Sequence, residues 1–83
     1  MKAKIYITYK DGILDPQGKT VGSALSSIGL SSIDSVTIGK FIVMNFDHKI
    51  SIDEAKKITE ESCKKLLANP NTEKFHYEIL ESE

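Results

Sequence analysis

The 83-residue sequence has a single cysteine, no tryptophan and no long apolar run. Cys63 has no second cysteine to pair with, so an intrachain disulfide is excluded, and a lone thiol is typical of a reducing compartment. The first ten residues alternate polar and apolar side chains, unlike the continuous apolar core of a signal peptide. No run approaches the roughly 18 apolar residues of a membrane span. We therefore expect a cytoplasmic protein with no membrane partner.

An excess of positive charge is also missing, because 11 Lys and Arg are balanced by 12 Asp and Glu. Binding to phosphate backbones needs a basic stripe, so we expect no nucleic-acid partner. The length allows one domain, which we place at residues 1–83. A domain of this size buries only about 60–65% of its unfolded surface, so its own core is marginal. With disulfides excluded, we expect a partner chain to supply the missing stability.

Hydrophobic periodicity predicts the order strand, helix, strand, helix, strand. Residues 3–10 alternate with a period of two, which predicts a strand. Asp15 can cap a helix that begins at Pro16, and Gly29 can end it. The predicted apolar face of this first helix consists of Val21, Ala24, Leu25 and Ile28.

The second predicted strand, residues 35–47, is apolar on both sides around residues 41–46. Gly39 is expected to bend it or divide it into two pieces. Two helices in so short a chain can cover one sheet face. The other face then needs cover from another molecule, or from the same sheet folded over.

Ser51 and Glu54 form a capping box that predicts a second helix, ending near Ala68 before Pro70. Its predicted inner stripe is Ala55, Ile58, Ser62 and Leu66, with Cys63 and Leu67 beside it. A last strand is predicted at about residues 73–80. The fold class is therefore α+β: a β-α-β-α-β two-layer sandwich, related to ferredoxin-like folds, with a small, mainly antiparallel sheet. We expect both helices on one sheet face and a sheet face used in dimerisation.

The stretch GILDPQGKT, residues 12–20, resembles a nucleotide-binding loop. The Walker pattern places four residues between its first glycine and Gly-Lys-Ser/Thr, but five lie between Gly12 and Gly18. Pro16 also removes one of the backbone N–H donors that such a loop points at phosphate. We therefore interpret the stretch as a strand-to-helix connection whose helix N-terminus could still meet an anion or a partner carboxylate.

The remaining reactive side chains form no recognisable site. Cys63 is expected to be a small buried hydrophobe, and His48 and His76 have no second ligand at metal-binding spacing. Asp53 and Glu54 are already used at the start of the second helix. We predict no catalytic, cofactor-binding or metal-binding residue in this chain.

Three segments together resemble a known family. KDGILDPQGKTV (10–21), SVTIGKFI (35–42) and CKKLLANPNTEKFHYEI (63–79) are similar to the PurS family of small phosphoribosylformylglycinamidine synthase subunits. The motifs are K-x-G-[VI]-L-D-P-Q-G, V-x-x-G-K and L-L-A-N-P, and the resemblance spans nearly the whole chain. Gly22 and Ser23 depart from it, where charged residues are expected in the first helix.

The resemblance implies a purine-biosynthesis complex of three kinds of subunit. A glutaminase and a large synthetase, which uses ATP and magnesium, convert formylglycinamide ribonucleotide, glutamine and ATP to formylglycinamidine ribonucleotide, glutamate, ADP and phosphate. The small subunit is implied to be non-catalytic and to bind no cofactor. It is implied to form a homodimer or a dimer of dimers and to bridge the other two subunits, so that ammonia passes between them.

We expect the partner interface in the first motif and at the start of the second strand. The candidate residues are Gly12, Leu14, Asp15, Pro16, Gln17, Gly18, Lys19, Lys40 and Phe41. Asp15 and Pro16 are expected to build the helix start, and Gln17 and Lys19 to present polar groups beyond it. Two other functions stay open from the residues alone: an enzyme using the Gly18–Lys19 helix end for a phosphorylated ligand, and a ligand-sensing regulatory module.

Overall fold

A computed structural model describes residues 1–81 of the chain. Its sheet has three antiparallel strands in the order β2–β1–β3, so the first strand lies in the middle. The elements follow the predicted order and confirm the mainly antiparallel sheet. They are β1 Lys2–Tyr9, α1 Pro16–Ser27, β2 Lys40–Asn45, α2 Ile52–Ser62, a π-helical turn Cys63–Leu67, and β3 Glu73–Leu80. No helix within residues 1–81 is long and apolar enough to cross a membrane.

The core lies on one face of the central strand. Ala3, Ile5 and Ile7 are at most 1% exposed, as the period of two predicts. Ile5 lies opposite Ile42 on β2 and Tyr77 on β3, so one apolar row crosses the whole sheet. We call this side the inner face, and the side that carries Tyr6, Phe41 and His76 the outer face.

The second helix packs on the inner face through a different stripe from the predicted one. Ala55, Thr59 and Cys63 are fully buried, whereas Ile58 is 40% and Leu66 is 82% exposed. Thr59 can be buried because its hydroxyl donates to the Ala55 carbonyl at 2.8 Å, which satisfies the polar group. The prediction placed Ile58 and Leu66 inward on hydrophobicity alone and was wrong at both positions.

The second strand is shorter than predicted. It begins at Lys40, directly after Gly39, and ends at Asn45, so the expected division at Gly39 leaves residues 35–39 outside the sheet. Their backbone groups are used elsewhere. The Ile38 N–H donates to a side chain at the start of α1, and the Val36 carbonyl lies against Gly18.

The first helix is capped and ended as predicted, but it does not complete the expected helical layer. Gly18 is its only buried residue. On its predicted apolar face, Val21 is 38% exposed, and Ile28, just beyond the helix end, is 72% exposed. α1 lies instead beside the 30–39 segment, with Gly22 near the Val36 side chain. We call residues 13–39 the arm. The described residues together extend over 51 Å in the longest direction and 14 Å in the shortest.

Two glycines hold the arm at the sheet. A Cβ on Gly18 would meet the Val36 carbonyl oxygen, and a Cβ on Gly39 would meet the Ile7 carbonyl oxygen. In both places one backbone approaches another too closely for a side chain. The direction in which the arm leaves the sheet is therefore fixed by backbone contacts rather than by a hydrophobic core.

We predict opposite effects for two alanine substitutions in α1. Gly18→Ala should destabilise the chain by 1 kcal/mol or more, on the order of an overpacked site, because the added methyl meets backbone that cannot rotate away. Gly22→Ala should stabilise it by up to about 1 kcal/mol, the helix-propensity gain, since its Cβ would meet Val36 Cγ2 at an ordinary 3.7 Å. Urea unfolding of both variants measures the difference. Equal effects of the two substitutions would contradict the contact between Gly18 and Val36.

Candidate interaction surface

A single carboxylate organises the start of α1. Asp15 is the N-cap of the helix, and its Oδ1 accepts a hydrogen bond from the Gly18 N–H at 2.9 Å. Its Oδ2 accepts a second one from the Ile38 N–H at 2.7 Å. The same side chain therefore caps the helix and fastens the returning end of the arm to it.

These hydrogen bonds also explain the resemblance of residues 12–20 to a phosphate loop. A helix N-terminus presents free N–H groups that attract an anion. Here the anion is the chain's own Asp15 carboxylate, which lies within hydrogen-bond distance of the Gly18 N–H. Gly12 takes a positive φ of 83° in the turn before the cap. The loop is therefore a phosphate-loop look-alike whose anion position is already filled.

We call the place where Asp15 joins the start of α1 to Ile38 the corner. The three sequence motifs that mark the chain meet there. The first motif contacts the second through Asp15 and Ile38. It contacts the third through Lys10, whose Nζ donates to the Pro70 carbonyl at 2.7 Å. The second motif contacts the third through Lys40, whose Nζ donates to the Leu67 carbonyl at 3.3 Å. Residues far apart in sequence are thus parts of one structural joint.

Lys40 and Phe41, which were predicted to share an interface, point to opposite faces of β2. Lys40 lies on the inner side, with its Nζ 3.7 Å from Glu73 Oε2. Phe41 lies on the outer face, is 58% exposed and packs against the Tyr6 ring with centroids 5.1 Å apart. They cannot both contact one flat partner surface.

Gln17 and Lys40 line the same cleft. The cleft has a volume of about 200 Å³, and Thr8, Gly39 and Glu73 also line it. On its other side, Gln17 borders a second depression of about 490 Å³ with Pro16, Val21 and Ile38. Gln17 is therefore an exposed polar group at the junction of the arm and the sheet.

Leu14 and Lys19 lie on a third concavity, along the arm itself. Its volume is about 500 Å³, and Ile13, Ile33 and Val36 contribute to its walls. Leu14 is 69% exposed. The candidate interface residues thus divide into a structural set and a displayed set. Asp15, Pro16 and Gly18 build the corner, whereas Leu14, Gln17 and Lys19 present side chains from it.

The outer sheet face carries a row of rings that the sequence analysis did not identify. Tyr6 stacks on His76 at 4.8 Å between centroids and packs on Phe41 from the other side. Because each ring lies across from its neighbour on adjacent strands, residues 6, 41 and 76 form a continuous ridge. Val43 beside it is 42% exposed, so the sheet does not fold over to cover this face in the described residues.

Two titratable side chains near the second helix, Cys63 and Tyr77, belong to the packed interior. Burial, with the nearby Glu60 carboxylate, raises the pKa of the Cys63 thiol, which is the opposite of what a reactive thiolate needs. Tyr77 Oη donates to Glu60 Oε1 at 2.9 Å, and this hydrogen bond raises the pKa of Tyr77. Within residues 1–81, no three His, Cys, Asp or Glu side chains are grouped to hold a metal ion.

Two of the residues that make this corner were missed from the sequence because they act through backbone atoms. Val36 contributes a carbonyl and Ile38 an N–H, and neither backbone group depends on its side chain. The available signal was indirect. A glycine inside a helix, as at Gly18, and a glycine at the start of a strand, as at Gly39, both indicate close backbone approach.

We predict that the Asp15 bonds make the corner sensitive to acid. The Gly18 N–H, and next the Ile38 N–H, hold the pKa of the Asp15 carboxyl below its ordinary value of 3.8. A lowered folded-state pKa adds stability above the unfolded value, and that stability is lost as the pH falls through the folded value. Asp15→Asn should therefore unfold at lower urea than the parent at pH 7, and the gap should close below about pH 4. A gap that stays constant with pH would contradict it.

The chain resembles known proteins over nearly its whole length. The family model described as PurS, phosphoribosylformylglycinamidine (FGAM) synthase, matches residues 2–81. A subunit PurS from Bacillus subtilis is 36% identical over 80 residues, covering 96% of this chain and 93% of that protein. A subunit PurS from Methanocaldococcus jannaschii is 38% identical over 71 residues, covering 83% and 82% respectively.

Solved structures of PurS proteins also superpose on the chain. PurS from M. jannaschii superposes with a TM-score of 0.87 at 33% identity, covering 99% of this chain and 98% of that one. The B. subtilis PurS structure gives 0.83 at 36% identity, with coverages of 93% and 94%. A chain in the PurLQS structure from Thermotoga maritima gives 0.83 at 25% identity, covering 95% of each chain. The chain therefore belongs to the PurS family of phosphoribosylformylglycinamidine synthase subunits.

Proposed function

We propose that the chain is the small, non-catalytic subunit of a phosphoribosylformylglycinamidine synthase in purine biosynthesis. It acts as a homodimer or a dimer of dimers, and part of the sheet belongs to the contact between copies. It joins a glutaminase subunit to a large synthetase subunit, which uses ATP and magnesium. The complex works in the cytoplasm and converts formylglycinamide ribonucleotide, glutamine and ATP to formylglycinamidine ribonucleotide, glutamate, ADP and phosphate.

The observation that carries this proposal is the joint formed by the three family motifs. Lys10, Asp15 and Lys40 each connect one motif to another. The joint fixes backbone and holds side chains in place, with Gln17 and Lys19 exposed at its surface. A rigid corner that presents polar side chains beside open clefts suits contact with another protein. The anion position at the helix start is filled by Asp15, which disfavours the alternative of a phosphorylated ligand at that place.

The physical task of such a subunit is to bring two active sites together. Ammonia released into water is protonated and diffuses away. A docked pair of sites with a closed path excludes water and keeps the ammonia unprotonated and close to its acceptor. A subunit with this task supplies contact area and fixed geometry, and no side chain of this chain takes part in bond making.

The proposal is tested by reconstitution with a glutaminase and a large synthetase subunit. Formation of the amidine from glutamine should require this chain, whereas formation from added ammonium salt should not. Such a result separates a bridging role from a catalytic one. If glutamine-dependent activity is equal with and without the chain, or if the isolated chain hydrolyses ATP, the proposal is wrong.

We predict that the displayed corner residues contribute to assembly. Gln17→Ala and Lys19→Ala together should weaken binding to the other subunits about tenfold, which corresponds to roughly 1.4 kcal/mol, and should leave the urea midpoint of the isolated chain unchanged. Lys57→Ala, an exposed lysine on the charged side of α2, is the matched control and should have no effect. Analytical ultracentrifugation measures the binding of both variants to the other subunits, and urea unfolding measures the midpoint of each isolated chain. Equal binding by the double variant and the parent would remove these residues from the interface.

A further inference from the structure

The last strand, β3, lies at an edge of the sheet. Among residues 1–81 it pairs with β1 on one side and with no strand on the other. Beyond Tyr9 and Glu73 the register continues, because the Lys10 N–H donates to the Thr72 carbonyl at 2.9 Å. Hydrogen-bonded positions alternate along an antiparallel pair. The backbone groups of residues 74, 76 and 78 therefore point to β1, and those of residues 75, 77 and 79 point outward to where a further strand can pair.

The side-chain order of β3 is nearly symmetric about its middle. Residues 74–78 are Lys, Phe, His, Tyr and Glu, so a histidine is flanked first by two aromatic rings and then by two opposite charges. Lys74, His76 and Glu78 are exposed on the outer face. A two-fold axis at His76, perpendicular to the sheet, places residue 74 of one copy opposite residue 78 of another, and residue 75 opposite residue 77.

The charges select this register over its neighbours. A two-fold axis at residue 75 sets Lys74 opposite His76, and an axis at residue 77 sets His76 opposite Glu78. The axis at His76 sets Lys74 opposite Glu78 twice, once in each direction. Opposite charges directly across two strands stabilise their pairing, and like charges destabilise it. Charges that protect an edge from pairing repel an approaching strand, whereas these two attract a second copy of the same edge.

The aromatic side chains are matched in the same register. One face of the His76 ring stacks on Tyr6, with centroids 4.8 Å apart and planes 18° apart. Because the backbone groups of His76 point to β1, the two His76 residues form a non-hydrogen-bonded pair, in which side chains are closest. The free face of each imidazole then meets the other, and the ridge of rings continues across both sheets. On the inner face, Phe75 lies opposite Tyr77.

We propose that two copies of this chain pair along β3, antiparallel about a two-fold axis at His76, so that two three-stranded sheets become one continuous sheet. The inference rests on the dimer of dimers in the proposed function and assigns one of its contacts to this edge. A single pair of edge strands buries little surface compared with a stable interface. The edge contact therefore joins copies that are also held by another contact.

A second copy is favoured over a different protein because the charge order complements itself. The same charges disfavour another arrangement of two copies, in which the outer faces stack on each other. On that face the strands carry one carboxylate, Glu78, and three lysines, which are Lys2, Lys4 and Lys74. Two such faces would bring an excess of positive charge together, whereas the edges bring each lysine at 74 to a carboxylate.

The pairing is tested by reversing the two charges in separate chains. Lys74→Glu and Glu78→Lys each place like charges opposite each other at two positions. Each variant should raise the dissociation constant of the edge contact about tenfold, so the sedimenting mass should halve at concentrations where the parent assembles. A 1:1 mixture of the two variants should recover the parent mass, because the acidic edge of one lies against the basic edge of the other.

A matched control separates this pairing from a general effect of charge. Lys57→Glu makes the same change of net charge on the exposed side of α2 and should leave the mass unchanged. Urea midpoints of the variants show whether each chain is folded. The edge pairing is wrong if the single variants keep the parent mass, or if folded variants fail to recover it when mixed.

A cysteine at the axis gives a measurement that does not depend on charge. His76→Cys places two thiols on a non-hydrogen-bonded pair, whose Cα atoms lie about 4.5 Å apart, within disulfide reach. We expect a covalent dimer on a non-reducing gel after mild oxidation. Thr8→Cys, on the same face of the central strand, is the control and should give little. Cys63 stays in place, since it is fully buried.

The cross-links also distinguish the edge contact from other arrangements and from the proposed function. Cross-linking of Thr8→Cys as efficiently as His76→Cys would indicate stacked outer faces and overturn the edge pairing. If His76→Cys forms no covalent dimer and the charge variants keep the parent mass, the pairing is wrong. The proposed function still stands in that case, provided that the reconstituted complex requires this chain to use glutamine.

Discussion

The architecture of this chain depends on one carboxylate with two bonds. Asp15 accepts from the Gly18 N–H at the start of α1 and from the Ile38 N–H, 23 positions further along the chain at the end of the arm. Hydrogen bonds to a charged acceptor are stronger than neutral ones. Without this connection, the arm would be held only by the close backbone contacts at Gly18 and Gly39, because α1 buries a single residue. Together with the close backbone contacts at Gly18 and Gly39, it holds α1 beside the returning end of the arm.

The sequence predicted the elements well where local chemistry decides them. The caps at Asp15 and Ser51 and the strand at residues 73–80 were placed correctly, because capping and a period of two are local properties. The inner stripe of α2 was wrong at Ile58 because Thr59 satisfies its hydroxyl within its own helix. Hydrophobicity alone could not reveal that. The position of α1 could not be predicted at all, since it depends on backbone contacts across the arm.

The sequence predicted the residues of the candidate site and part of their roles, since Asp15 and Pro16 were placed at the helix start and Gln17 and Lys19 beyond it, as the structure has them. The family motifs identified Asp15, Gly18 and Lys40, yet these residues act inside the joint. Phe41, grouped with Lys40 by sequence, lies on the opposite face of the strand because successive residues alternate. Motif resemblance therefore located the corner. The arrangement of the backbone was needed to place Gly18 inside the corner and to separate Lys40 from Phe41.

The carboxylate in the look-alike loop has a further consequence for how the subunit responds to its surroundings. A phosphate loop is occupied or empty according to the nucleotide concentration, and its shape changes accordingly. Here the anion is tethered three residues from its main donor, so its effective concentration is constant and high. The corner then keeps one shape whether ATP is abundant or scarce. In the complex proposed above, a corner of fixed shape would give the other subunits one constant contact surface.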